Sequence, residues 1–376
     1  MTVSTLDVDR NISTLRLNSQ EFANISNTEL SEMFLTSIEN IKTIAYFWAT
    51  IGADNKGIKG SSAEGEEWLG GPFASTIALQ YYIEYLVSDN NSLNENSIID
   101  NKIQVFPNKN IEKLLFPFVT AEVHFNKNMS SQDILNSRGF GNRLGFKKGI
   151  TLILGAGNVS SIPLLDTIYD MVVNRHCILL KLNPVNEYLK PVFEKVFENF
   201  ISRGFMIVTN GDVDISKYMT SHLGISNMHL TGSDKTYEKI VYGSELQEKD
   251  KGKKTLTKKN KKPFTTELGN VTPFIIHPGN WSSSEIKYQA RKIVTAKLNN
   301  NGFNCIAAQV IVIPKGWKHS DKLVEAIKKQ LANEKDRLAY YPDSLNSLNN
   351  LMLDTNLQQV NNESCATTHL TNCLLY

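Results

Sequence analysis

Cysteine is scarce in this chain and never paired. Four occur in 376 residues, Cys177, Cys305, Cys365 and Cys373, and none makes the C-x-x-C spacing of a zinc site or redox couple. That excludes a disulfide framework and fits a reducing compartment. The seven histidines show no H-x-x-x-H or other ligand spacing, so no metal is expected. Charge of one sign is lacking too. Lys+Arg 40 against Asp+Glu 38 leaves a net charge of +2, too little for a broad nucleic-acid or membrane footprint. No run approaches the roughly 18 apolar residues of a spanning helix. The opening "MTVSTLDVDRNISTLRLN" has no basic region followed by an apolar core. A cytoplasmic location, with no nucleic-acid or membrane partner, is the expectation.

What is present is organised. The length suggests two domains, or one with a fragment of another. Residues 20 to 86 are mainly helical by their three- and four-residue apolar spacing, broken by the loop-like "GADNKGIKGSSAEGEEWLGGP". "SDNNSLNENS" (88–97) has too little apolar content to pack. "KIQVFP" and "VTAEVHF" alternate like antiparallel strands. From residue 150 the rhythm is β-α-β-α-β: strand "ITLILGAG", helix "SIPLLDTIYDMVVNR" with Ser161 as N-cap and Pro163 in its first turn, strand "CILLKL", helix "YLKPVFEKVFENFISRG" closed by Gly204, and strand "FMIVTNG". After residue 270 come strand "VTPFIIH", helix "SSEIKYQARKIVTAKLN", strand "AAQVIVIP" and helix "SDKLVEAIKKQLA". Two α/β units in series follow. The lysine run "KDKGKKTLTKKNKK" (249–262) is expected to be a solvated loop.

Chemistry centres on "NNNGFNCIAAQVIV" (299–312), where Cys305 stands between a polar turn and an apolar strand. Taken alone, a free thiol is more readily a small core residue than a nucleophile. Cys177, inside "HCILL", reads as core. "LILGAGNVSS" offers G-x-G after a strand, but Ser160 stands where a third glycine would complete the dinucleotide fingerprint, so tight strand-to-helix packing is the better reading of this motif by itself. "MHLTGSDKTYEKI" (228–240) places Thr231, Gly232 and Ser233 where backbone N–H groups and a hydroxyl can meet a pyrophosphate. "FTTELGNVTPFII" (264–276) sets Glu267 before a Leu-Gly turn. Side chains at the ends of neighbouring parallel strands converge, so Glu267 and Cys305 can share one crevice.

These stretches, in order from about residue 120 to 345, resemble the aldehyde dehydrogenase superfamily: Asn158 after the first strand, Lys181 at the end of the next, "LTGS", "ELGN" for E-L-G-G and "NGFNC" for N-x-G-Q-x-C. The resemblance implies an α/β fold with a Rossmann-like cofactor domain followed by part of an α/β catalytic domain. Boundaries are expected at 1–267 for the cofactor domain with its helical N-terminal region, 268–345 for the partial catalytic domain and 346–376 for an irregular tail. It implies Cys305 as nucleophile, Asn158 as oxyanion donor and Glu267 as general base. NAD or NADP would be held by Lys181, Thr231, Gly232, Ser233 and Leu268. The implied partner is a small aldehyde, oxidised to an acid through a thiohemiacetal and a thioester.

The chemistry is coherent, because a thiolate attacks carbonyls well and a fixed amide stabilises the oxyanion. Burial of Glu267 beside Leu268 and Phe264 is expected to suit it to a base's task. The chain departs from the family pattern at Phe303 (usually Gln), Asn270 (usually Gly), "AGNVS" and "LNPVNE", and "RLAYYPDS" (337–344) marks a divergent branch. The family's glutamate-x-phenylalanine-glycine motif and its oligomerisation ribbon are not recognisable, so homo-oligomerisation is expected of the family but has no visible segment here. On this reading the chain is a C-terminally truncated member that binds the adenosine end of the cofactor better than it positions the nicotinamide. Two alternatives stand beside hydrolytic oxidation: a CoA-acylating dehydrogenase or acyl-CoA reductase, and an inactive remnant.

Overall fold

A computed structural model describes residues 3–88, 97–136, 147–247, 256–335 and 337–342, with positions 344, 346, 358–359 and 374–375 beyond them. The Asn/Ser-rich stretch, apart from its two end residues, lies outside the described residues, as do the first part of the lysine run and most of the tail.

The chain opens with helices α1 (Thr5–Ala23) and α2 (Asn27–Asn55). Ser4 and Asp7 form a reciprocal capping box on α1, and the Ser26 hydroxyl accepts from the Glu29 N–H on α2, so each helix starts with a capped orphan donor. The following stretch is not the loop its glycines suggest. A short 3₁₀ turn (Ser62–Glu64) leads into α3 (Gly65–Trp68) and a single π turn (Leu69–Phe73), which passes Gly70-Gly71-Pro72 directly into α4 (Ala74–Val87). Gly71 is required by packing, since a Cβ there would lie 2.9 Å from Ser160 Oγ and 3.1 Å from Trp48 Nε1. Helix order is kept because Glu67 is buried against a lysine from the end of α2 rather than left in solvent.

Next come β1 (Lys102–Phe106), α5 (Asn110–Leu115), β2 (Ala121–His124) and α6 (Ser131–Asn136), with β1 and β2 antiparallel as their alternation predicts. The main sheet is built from β3 (Ile150–Leu154), α7 (Ile162–Val173), β4 (Cys177–Lys181), α8 (Lys190–Val196), α9 (Glu198–Ser202), β5 (Met206–Thr209), α10 (Val213–Ser221), β6 (Asn227–Gly232), α11 (Asp234–Tyr242) and β7 (Phe264–Leu268). Its five strands are parallel, in the order β5-β4-β3-β6-β7. Every residue of β3 and β4 is buried, the signature of strands covered on both faces. Two details differ from expectation. Ser161 occupies the N-cap position of α7 without a side-chain bond, and the second crossover helix splits at Phe197 before Gly204, whose φ of +69° ends it.

A second, separate hydrophobic core is formed by β8 (Thr272–Ile275), α12 (Ser283–Leu298), β9 (Ala308–Val312) and α13 (Ser320–Ala332), with Ile286, Ile293, Leu323 and Ile327 at its centre. β8 and β9 pair in parallel, and Ile275, Val310 and Val312 are exposed. The first core ends with Leu268, so the two units meet between β7 and β8. Among the described residues, no helix is long and apolar enough to cross a membrane.

Candidate active site

The strand order reverses between β3 and β6, and at such a switch point an open α/β sheet forms a crevice beyond its carboxyl ends. A cleft of about 2100 Å³ lies there. It is lined by Asn158, Lys181, Thr231, Gly232, Ser233, Glu267 and Cys305, so seven of the eight residues singled out by sequence reach one space. The eighth, Leu268, packs its side chain against the core of the sheet instead.

Each lining residue is placed by its local backbone. Gly155 N–H donates to the Lys181 carbonyl at 3.0 Å, tying β3 to β4 as both strands end. Lys181 is buried, and that burial holds its pKa below the usual lysine value, partly offset by Glu187 and Asp212. On β6, the Thr231 hydroxyl donates to Asp166 Oδ2 at 2.9 Å. Ser233 caps α11 by accepting from the Thr236 N–H at 3.2 Å, which aims the amino end of that nine-residue helix at the cleft. Glu267 stands opposite Thr231 in the β6–β7 register. The expected burial of Glu267 beside Leu268 and Phe264 does not occur. Those two side chains lie on the other face of β7 by simple alternation, and Glu267 is exposed. Cys177 is core, as expected, and burial pushes its thiol up to about 12.

Cys305 is half-buried and follows an unusual turn. Asn300, Asn301 and Gly302 have φ of +53°, +55° and +80°, three successive residues in the left-handed region. Asparagine and glycine tolerate that region where other residues are strained, which gives the Asn-Asn-Asn-Gly run a physical reason. The turn is pinned from outside. Asn300 N–H donates to Glu66 Oε2 at 2.7 Å, and Asn301 Nδ2 donates to the carbonyls of Lys56 and Leu338, both at 3.0 Å. Arg337 holds the other oxygen of Glu66 at 3.0 Å.

Beneath the turn sits Lys56, 1% exposed. Its ammonium donates to Glu67 Oε1 at 2.6 Å and to the Asn158 carbonyl and Asn300 Oδ1, each at 2.7 Å. Burial lowers its pKa, and the Glu67 carboxylate acts against that shift. Asn158 in turn donates from Nδ2 to the Phe303 carbonyl at 3.0 Å. Phe303, Tyr340 and Tyr341 pack edge-on or tilted against one another with ring centroids 4.8 to 5.3 Å apart. The phenylalanine that departs from the family pattern thus packs on the tyrosines of "RLAYYPDS". Burial raises the phenols of both Tyr340 and Tyr341. Sequence reasoning missed Lys56, Glu66, Glu67, Asn300 and the tyrosine pair. The repeated asparagines were the one available signal.

A doubly wound sheet with a half-buried cysteine and a carboxylate lining the crevice at its switch point defines an α/β protein with a thiol in its switch-point cleft. Residues 177–337 match the model of the aldehyde dehydrogenase family. A stretch of 137 residues is 28% identical to the D-glyceraldehyde dehydrogenase (NADP(+)) of Picrophilus torridus, covering 36% of this chain and 23% of that protein. The fold resembles an aldehyde dehydrogenase from Bartonella henselae (TM-score 0.62, 13% identity, 96% of this chain and 66% of that one). It also resembles the salicylaldehyde dehydrogenase of Pseudomonas putida G7, solved with salicylaldehyde (TM-score 0.63, 12% identity, 96% and 65%). The chain thus resembles aldehyde dehydrogenases in fold, with the family match confined to residues 177–337. It spans less than a quarter of the curated relative and about two thirds of these solved structures.

Proposed function

We propose that this chain takes NAD or NADP into the switch-point cleft and oxidises an aldehyde to a carboxylic acid through Cys305. The observation that carries the reading is that Cys305, Asn158 and Glu267, far apart in sequence, line the same cleft as Lys181 and the amino end of α11. That cleft suits a dinucleotide. It is long enough to reach from α11, whose helix dipole favours a pyrophosphate, to the cysteine turn, and Lys181 adds a cation to its lining. The bound nicotinamide supplies a hydride acceptor.

The protein's own groups do the rest. Cys305, as thiolate, adds to the aldehyde carbon and leaves a thiohemiacetal whose oxygen carries the charge. Asn158 meets that oxygen. Its amide has two N–H groups, and the bond to Phe303 uses one of them. Loss of hydride converts the adduct to a thioester on Cys305. Glu267, exposed on the cleft side of β7, takes a proton from water as the water attacks the thioester, which releases the acid and restores the thiol. Water is the favoured acceptor because Glu267 is open to the cleft; a CoA thiol would complete the same cycle as an acyl-CoA product.

The test is NAD(P)H formation by the full chain with a panel of aldehydes, in parallel for wild type and Cys305→Ala. Aldehyde-dependent NAD(P)H from the wild type alone supports the reading. Equal rates from both proteins would remove it.

A further inference from the structure

We propose that Lys56 is a positioning residue that joins the oxyanion-binding Asn158 to the turn carrying Cys305; this deepens the function proposed above and rests on it. Its ammonium bonds to both, and the Tyr340 hydroxyl, which bonds the Asn158 carbonyl and the Asn300 side chain, is a second link. Three oxygens from three parts of the chain surround the ammonium: Glu67 on α3, the Asn158 carbonyl after β3, and the Asn300 side chain in the turn after α12. The backbone of Lys56 adds a fourth tie by accepting from Asn301 Nδ2 at 3.0 Å. The ring of Tyr340 lies 5.5 Å from the same Nζ, and its hydroxyl donates to the Asn158 carbonyl at 3.4 Å.

The geometry gives the lysine a task that bulk packing cannot perform. Asn300 and Asn301 sit in left-handed conformations that the turn does not enforce by itself, so contacts from outside must hold them. A buried ammonium is costly unless its hydrogen-bonding directions are filled, and Lys56 has three close acceptors for three N–H groups. The Asn158 carbonyl is therefore fixed against the turn. With its backbone fixed and its side chain bonded to Phe303, Asn158 can present its amide to an oxygen on the carbon attached to Cys305. Without the lysine, the loop after β3 and the cysteine turn are left with the Asn158–Phe303 bond and the Tyr340 hydroxyl between them, and the Asn158 carbonyl loses its ammonium donor. An error of about 1 Å in such a contact costs on the order of 100-fold in rate.

Removing the lysine alone would strand the Glu67 carboxylate in the interior. The variant of choice is therefore Lys56→Met/Glu67→Leu, which removes both charges at similar volume. The assay needs no turnover: Cys305 is alkylated by iodoacetamide in a Cys365→Ser/Cys373→Ser background, and butanal is titrated as a reversible protectant through its thiohemiacetal. Thermal melting checks that the variant is folded. The expected result is an alkylation rate without aldehyde within about threefold of the parent, and a half-protecting butanal concentration raised at least about tenfold, because alkylation makes no oxyanion and the thiohemiacetal does. An unchanged half-protecting concentration would overturn the proposal. So would an equal fall in both readouts, or an unfolded variant, since either shows a general structural role. If butanal fails to protect Cys305 in the parent, the proposed function itself fails, and this inference with it; a failure confined to the variant touches Lys56 alone.

Discussion

The Asn158 side-chain amide donates to the carbonyl of Phe303 at 3.0 Å, across 145 positions of sequence and two residues before Cys305. This bond joins the end of the first sheet's β3 to the turn that opens β9 in the second unit, so it spans the two hydrophobic cores. It also fixes which way the amide faces, because Nδ2 is engaged while Asn158 Oδ1 is buried without a partner among the described residues.

Asn158→Ala should therefore slow formation of the acyl enzyme by about 100- to 1000-fold, the usual cost of one oxyanion donor. Binding of NAD or NADP should change little. Stopped-flow bursts of NAD(P)H with isothermal titration of the cofactor separate the two effects, and a large loss of cofactor affinity would mean that Asn158 acts on the fold of the cleft instead.

Glu267→Gln should leave the first-turnover burst of NAD(P)H in place and slow the steady state, since the carboxylate acts on the water that resolves the thioester. Burst and steady rate falling together would place Glu267 at the activation of Cys305.

Gly157 has no room for a side chain: a Cβ there would lie 2.5 Å from Tyr341 Oη and 2.8 Å from Asn183 Cγ. Gly157→Ala should destabilise the protein by about 1–3 kcal/mol, the range for overpacking. Adding Tyr341→Phe, which deletes the hydroxyl, should recover part of that loss in urea denaturation. No recovery would show that Asn183 or the backbone is the obstacle.

How much of this was legible follows from where each feature lives. The parallel sheet was readable because β3 and β4 are unbroken apolar runs, and the cleft residues followed from strand ends that topology brings together. The exposure of Glu267 was not, because "FTTEL" does not say which face of β7 will be covered. The Lys56 network was hidden for a different reason. Gly70-Gly71-Pro72 reads as a break, yet a π turn absorbs it, and the contact from Lys56 to Asn300 crosses 244 positions that no local pattern reports.

A pH effect follows from the pair beneath Thr231. Burial alone would lower the pKa of His229, but its bond to Asp166 and the charges of Asp166, Glu267 and Asp170 outweigh that and raise it above the ordinary 6.5. Charged His229 faces Asp166 Oδ1 at 3.4 Å. A raised folded-state pKa contributes stability that is fully present below the unfolded value and disappears as pH rises through the folded one. His229→Gln should thus cost more stability near pH 5.5 than near pH 8.5, roughly one unit below and two above the unfolded value. Urea titrations at the two pH values check this, and an equal cost at both would contradict it.

The central claim is that the acyl group is carried on Cys305. The direct measurement is acid quenching of the Glu267→Gln protein within the burst phase, with butanal and NAD(P), followed by peptide mass mapping. The account predicts a butanoyl mass increment on the peptide containing Cys305, and none on the peptides of Cys177, Cys365 or Cys373. A butanoyl adduct on another residue, or NAD(P)H released with no adduct on Cys305, would contradict it.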